Sequence, residues 1–196
     1  MDTKTIIKDL SELRGNRKRR RVWKPFMEKY NCQKVCEIGV LRGENFKEFI
    51  AHSPEVAVAV DRWIDDGVIS RCDSGYAQDR LDEIYNNFKT EVKDKKFVQI
   101  YKQYSINAVK SFPDNYFDII YIDADHTYNA CLRDIIDWYP TVRKGGFLTG
   151  DDFRKNYKTA TGVRFGVIEA VTKFAKDNKL EFFKLPFHGW GIIKPI

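Results

Sequence analysis

Two kinds of apolar run alternate along this chain. Short stretches rich in Val, Ile, Phe and Tyr are separated by longer ones in which apolar residues recur every three or four positions. That is the pattern of buried strands joined by amphipathic helices. Lys34–Ile38 reads as the first strand, followed by a helix over 43–52 with Phe46, Phe49 and Ile50 on one face. A second strand over 56–60 ends at Asp61. Residues 63–79 are polar and irregular, longer than an ordinary strand-to-helix connection, which suits a lid over a site. A helix over 80–92 turns Leu81, Ile84, Tyr85 and Phe88 inward; a strand follows at 97–101, then a short helix over 106–112 stopped by Pro113. Phe117–Ile122 is nearly all apolar, as a central strand covered on both faces should be.

The helix expected over 127–139 carries an apolar stripe of Tyr128, Leu132, Ile135, Ile136 and Tyr139. Gly145-Gly146 ends that connection before a strand at 147–150, and a helix over 162–176 faces Val163, Val167, Val171 and Phe174 inward. Strands at 180–185 and 190–194 are separated by 186–189 alone, too short for a parallel crossover, so they must be antiparallel. The expected fold is α/β: a Rossmann-like, seven-stranded, mostly parallel sheet with helices on both faces and a C-terminal antiparallel hairpin. A single domain spans 1–196, with a basic N-terminal helical arm over 1–33 and a catalytic core over 34–196.

Composition narrows the class. With 196 residues, 43% hydrophobic and 32% charged, the chain can bury a real core and is not a disordered segment. Residues 1–10 lack the continuous apolar stretch of a secretory signal, and no run reaches the roughly 20 residues of a membrane span. The four cysteines, Cys32, Cys36, Cys72 and Cys131, form no CxxC pair and read as reduced thiols of a cytoplasmic protein. The net charge of +6 is concentrated in Arg14, Arg17, Lys18, Arg19, Arg20, Arg21 and Lys24. Such a block either attracts phosphates, on nucleic acid or a small acidic substrate, or is the solvated face of a helix. Phe182, Phe183, Phe187 and Trp190 fit either a homo-oligomer surface or core.

Candidate chemistry gathers at the strand ends. The first strand runs into Glu37-Ile38-Gly39-Val40-Leu41-Arg42-Gly43, where glycines let backbone approach a ligand at the carboxyl edge of the sheet. The spacing is E-x-G-x-x-x-G and not the G-x-G-x-x-G that cradles a pyrophosphate, so a ligand without phosphates fits better. Asp61, ending the second strand, can accept hydrogen bonds from both hydroxyls of a ribose. Together these favour an adenosyl cofactor. Asp123 ends the fourth strand in Ile122-Asp123-Ala124-Asp125-His126, and Asp151-Asp152 ends the fifth. If those strands are neighbours, Asp123, Asp151 and Asp152 converge, and a hard divalent ion such as Mg²⁺ relieves their repulsion. The alternative is that Asp125 or His126 caps the next helix and Asp151-Asp152 merely starts a loop.

From Lys34 onward the chain resembles the class I S-adenosylmethionine-dependent methyltransferases. It is most similar to the macrocin-type sugar O-methyltransferases and, more distantly, to the catechol and caffeoyl-CoA O-methyltransferases. The segments carrying the resemblance are VCEIGVLRGENF, VAVDRW, YFDIIYIDADHTY and KGGFLTGDDF followed by GVIEAVTKFA. It implies S-adenosyl-L-methionine as cofactor, with Glu37, Gly39 and Gly43 on the methionine side and Asp61 on the ribose. Trp63, Tyr104 and Ser105 would lie near the adenine, and Asp123 at the edge of the same crevice. It also implies a divalent metal at Asp123, Asp151 and Asp152. His126 stands where the catechol and caffeoyl-CoA enzymes place a catalytic lysine, while Asp125 matches an aspartate of some sugar enzymes. Either is the candidate base, beside Asp123. The expected reaction is methyl transfer to a hydroxyl of a small sugar-like or polyphenol-like molecule. The competing readings are an RNA methyltransferase that uses the basic arm and a non-catalytic nucleotide-binding or interaction module of the same fold.

Overall fold

The computed structural model describes residues 3–14, 22–67, 76–155, 157–158, 162–185 and 188–196. Seven strands form one sheet: β1 (Lys34–Ile38), β2 (Val56–Asp61), β3 (Val98–Lys102), β4 (Phe117–Ile122), β5 (Val142–Gly150), β6 (Phe182–Lys184) and β7 (Trp190–Ile193). Their order is β3-β2-β1-β4-β5-β7-β6. The first five are parallel, and β7 runs antiparallel to both β5 and β6. The fold is therefore the expected mostly parallel sheet with an antiparallel C-terminal hairpin. Strand order reverses between β1 and β4, and ligands of open α/β sheets bind at the carboxyl ends of the strands beside such a reversal.

Because side chains alternate across a strand, each central strand feeds two cores. Val35, Ala57, Ala59, Ile119, Tyr121 and Phe147 face one side, under α2 (Trp23–Tyr30), α3 (Phe46–Ile50) and α4 (Gln78–Val92). Cys36, Ile38, Val58, Val60, Ile120 and Leu148 face the other, under α5 (Ser105–Ala108), α6 (Tyr128–Trp138) and α7 (Val167–Asp177). Phe183 and Trp190 are buried in these cores, so that part of the hairpin is interior and not surface; Phe187 lies outside the described residues.

Several local expectations are corrected. The helix after β1 begins only at Phe46, since residues 41–45 are turns held by contacts at the site. Gly145-Gly146 lies inside β5, where the register against β4 shifts; the glycine pair makes a bulge and not a stop. On α6 the buried positions are Cys131, Asp134, Ile135 and Trp138, whereas Tyr128 and Ile136 are exposed. The inward stripe is thus rotated from the expected one and contains a carboxylate.

At the N-terminus, α1 (Thr3–Arg14) buries Ile6 and contacts α2 and β6. Asp9 of α1 pairs with Lys29 at 2.7 Å and accepts the Tyr30 hydroxyl, while Trp23, Phe26 and Met27 of α2 are core. These helices pack onto the sheet; residues 17–21 of the basic stretch lie outside the described residues. Cys32, Cys36 and Cys131 are buried and free, and burial pushes the Cys36 thiol well above its ordinary range; Cys72 lies outside the described residues. Among the described residues no helix is long and apolar enough to cross a membrane.

Candidate active site

The loop leaving β1 is tied down by its neighbours. The Gly39 amide donates to Val60 O and that of Asp123 to Ile38 O, which draws the ends of β1, β2 and β4 together. Gly39 has φ +89, and a Cβ there would lie 2.1 Å from the Asp123 carbonyl oxygen, so only glycine fits this crossing. Asp61 stitches the loop to β2: one carboxylate oxygen accepts the Leu41 amide (2.8 Å), the other the Trp63 amide (2.9 Å). Burial pushes the Asp61 carboxyl up, and the backbone N–H groups of Trp63, Leu41 and Val40 pull against that shift. A carboxylate offers about four lone-pair sites, so Asp61 keeps acceptor capacity for a ligand's hydroxyls.

These contacts frame a cavity of about 340 Å³ beside the topological switch. Gly39, Asp61, Trp63, Tyr104, Ser105 and Asp123 all line it. Glu37 and Gly43 do not. Glu37 is buried beneath the loop, where it accepts from Asn45 at 3.3 Å. A Cβ at Gly43 would meet the Phe88 ring at 2.4 Å. Phe88 in turn stacks on Trp63 (5.7 Å between centroids), and the Trp63 indole donates to Leu41 O at 2.9 Å. Gly43 therefore acts one layer back, making room for the aromatic pair that backs the cavity wall. The rim beside it is closed by side chains: Tyr104 donates to Asp66 (2.9 Å), and Arg62 pairs with the same carboxylate. Residues 68–75 of the expected lid lie outside the described residues.

Asp134 was not anticipated. It lines the cavity, is 7% exposed, and accepts a hydrogen bond from Ser105 Oγ. The helix was read for its apolar stripe alone; the signal available was the spacing Cys131, Asp134, Ile135, Trp138, which places the carboxylate on the buried face. Burial pushes Asp134 up to about 7, with the Ser105 bond pulling the other way. An unfolded aspartate titrates near 3.9. Between those values the folded chain binds more protons than the unfolded one, so this group's contribution is full at low pH and is lost as pH rises through about 7. The expected outcome is that Asp134→Asn removes a pH-dependent loss of roughly 2–4 kcal/mol. Thermal melts at pH 5 and pH 8 would then converge by roughly 5–10 °C in the variant relative to wild type.

Beyond Asp123 lies a second cluster. Ligand atoms of Asp123, His126 and Asp152 all fall within 4.8 Å of one another. His126 Nε2 stands 3.2 Å from Asp123 and 3.6 Å from Asp152. The imidazole is buried and stacks on Phe165 (4.6 Å, 22°), whose other neighbour is Tyr157. The expected trio of Asp123, Asp151 and Asp152 is thus not the one assembled; His126 takes the place of Asp151. Successive side chains at a strand end project apart, and the left-handed Asp152 (φ +52) turns its carboxylate toward His126. Asp151 stays buried and accepts the Asp152 amide at 2.7 Å. Asp125 accepts the Thr127 amide (2.8 Å) at the start of α6, and also lines the cavity. Arg154 Nε lies 2.6 Å from Asp152.

Residues 36–153, more than half of the chain, match a family model described as a methyltransferase domain. An uncharacterized protein of Acanthamoeba polyphaga mimivirus, R132, is 34% identical over 85 residues, covering 41% of this chain and 36% of that protein. The match thus spans about a third of the relative's length. Among solved structures, a provisional caffeoyl-CoA O-methyltransferase from Staphylococcus aureus superposes with a TM-score of 0.66 at 13% identity, covering 99% of this chain and 93% of that one. The O-methyltransferase from Bacillus cereus in complex with SAH gives 0.60 at 12% identity, covering 95% and 91%. The O-methyltransferase TomG from Streptomyces achromogenes, in complex with SAM, gives 0.61 at 10%, covering 90% and 79%. At these identities the likeness is one of fold. The chain belongs to the methyltransferase-domain family.

Proposed function

We propose that this protein is an S-adenosylmethionine-dependent O-methyltransferase that acts on a hydroxyl of a small sugar-like or polyphenol-like molecule with the help of a divalent cation. The observation that carries this reading is the double membership of Asp123. It lines the cavity at the switch point and also belongs to the Asp123–His126–Asp152 cluster, so a ligand in one space meets the chemistry of the other. Gly39 lets backbone approach the ligand, Asp61 accepts from ribose hydroxyls, and Trp63, backed by Phe88, forms an apolar wall. The cofactor supplies a methyl group already activated on a sulfonium. What the chain must add is alignment of the acceptor oxygen and removal of its proton.

Two carboxylates and an imidazole with convergent ligand atoms fit a divalent cation. The imidazole widens the choice from oxygen-loving Mg²⁺ toward Mn²⁺, Fe²⁺ or Zn²⁺. Such an ion lowers the pKa of a hydroxyl bound to it. His126 then serves as ligand, and Asp125, on the cavity wall and two residues from Asp123, takes the proton. One observation favours a second reading. Arg154 already balances Asp152, so His126, held between two carboxylates, could itself accept the acceptor's proton without a cation.

The first experiment is calorimetric titration of S-adenosylhomocysteine. Micromolar binding is expected, weakened roughly 10–100-fold by Asp61→Ala with the fold intact by circular dichroism. No binding by the wild type at millimolar ligand would sink the cofactor assignment.

A further inference from the structure

The Ser105–Asp134 pair is unused by the mechanism above. Asp134 interrupts the buried face of α6 between Cys131 and Ile135, a position where an apolar residue would pack without cost. Its carboxyl lines the cavity, together with Tyr104, Ser105 and Ile106 at the start of α5. Among the described residues its one hydrogen bond is from Ser105 Oγ to Oδ1. One bond leaves most of a carboxylate's acceptor sites unused, and a buried carboxyl that keeps them at a cavity wall is suited to a ligand that donates. The residues that follow β3, Gln103 to Ile106, carry no acid of their own, so the carboxylate beside Ser105 in this wall comes from α6.

Resting on the cofactor assignment above, we infer that Asp134 is a specificity-determining residue that reads the purine of the cofactor, its carboxyl accepting the exocyclic amine while Ser105 holds it in place. An adenine amine has two N–H donors and no other group of the nucleoside base donates. A carboxylate in this wall therefore favours a 6-aminopurine over one lacking the amine. Arg133, exposed at the same wall, carries only donors and cannot accept from the amine.

The test is a ligand-by-variant cycle in calorimetry at pH 8. S-adenosylhomocysteine is compared with its analogue lacking the 6-amino group, on wild type, Asp134→Ala and Asp134→Asn. Wild type is expected to prefer the amine-bearing ligand roughly 10–100-fold, the range for a hydrogen bond to a charged group. In Asp134→Ala that preference should fall to within about threefold. The asparagine variant guards against misfolding: with Ser105 kept on its amide oxygen, its NH₂ would face the amine donor to donor, and the preference should again collapse. Should Asp134 only tie α6 to α5, the preference would stay at the wild-type value in both variants whatever their melting temperatures, and the inference would be overturned. Failure of wild type to bind either ligand would instead overturn the cofactor assignment, and this inference with it.

Discussion

Gly39→Ala should lower stability by roughly 3–5 kcal/mol and abolish binding of S-adenosylhomocysteine. Two penalties add. Alanine at φ +89 is strained whatever the space around it, and here there is none: the new methyl would lie 2.1 Å from the Asp123 carbonyl oxygen and 2.7 Å from Ala124 Cα. Both obstacles are backbone, and the Asp123 amide is held to Ile38 O at 2.8 Å, so neither can yield cheaply. Relief would require parting β1 from β4 at the edge where the cavity opens. For a chain of this size the melting temperature should drop by roughly 10 °C, measurable by scanning calorimetry. Gly67 makes the control, since it also has positive φ but meets nothing within 4 Å; its alanine variant should cost only about 1 kcal/mol. Equal effects at the two positions would show that the β1–β4 crossing is not the tight point described.

Asp152→Asn should leave S-adenosylhomocysteine affinity within about threefold of wild type while lowering turnover by roughly 10²–10⁴. Asp152 does not line the cofactor cavity but contributes to the cluster beyond it, so binding and chemistry should separate. Asparagine also suits the left-handed φ of +52, which removes backbone strain as an explanation. Cation affinity can be read without knowing the acceptor. Mn²⁺ titrated into wild type should bind, and Asp152→Asn should weaken it at least tenfold. Turnover, followed as release of S-adenosylhomocysteine with a panel of sugars and polyphenols, then separates the two readings of the cluster. Loss in excess chelator with recovery on adding a cation supports His126 as ligand. Full activity in chelator, lost in His126→Ala, supports His126 as base. Unchanged turnover in both Asp152→Asn and His126→Ala would remove the cluster from the mechanism altogether.

Legibility in the sequence tracked how local the physics was. The strands were readable because a parallel strand buried on both faces must be apolar at nearly every position, as Phe117–Ile122 is. The C-terminal hairpin was readable because so few residues separate its strands. Helix faces were harder. On α6, Tyr128 and Ile136 are apolar yet exposed, while Asp134 is charged yet buried, because the neighbouring α5 and the cavity decide which face turns inward. Gly145-Gly146 looked like a stop and proved to be a bulge, since a glycine pair signals backbone freedom without saying what uses it.

At the site, the ends of β1, β2 and β4 come together because strand ends in this topology share one edge. Which of their residues touch the cavity was not readable. Gly39 faces the crossing with β4, and Gly43 faces Phe88 from the next helix but one, yet the two look alike in sequence. Periodicity and strand-end position, which are properties of the local chain, were enough for the class of fold and for the acidic and glycine residues at the strand ends. That His126 joins Asp123 and Asp152 while Asp151 does not, and that Asp134 reaches the cavity, emerges only from the packed molecule. Those choices depend on a single left-handed residue and on the rotation of one helix, set by contacts between segments far apart in the chain.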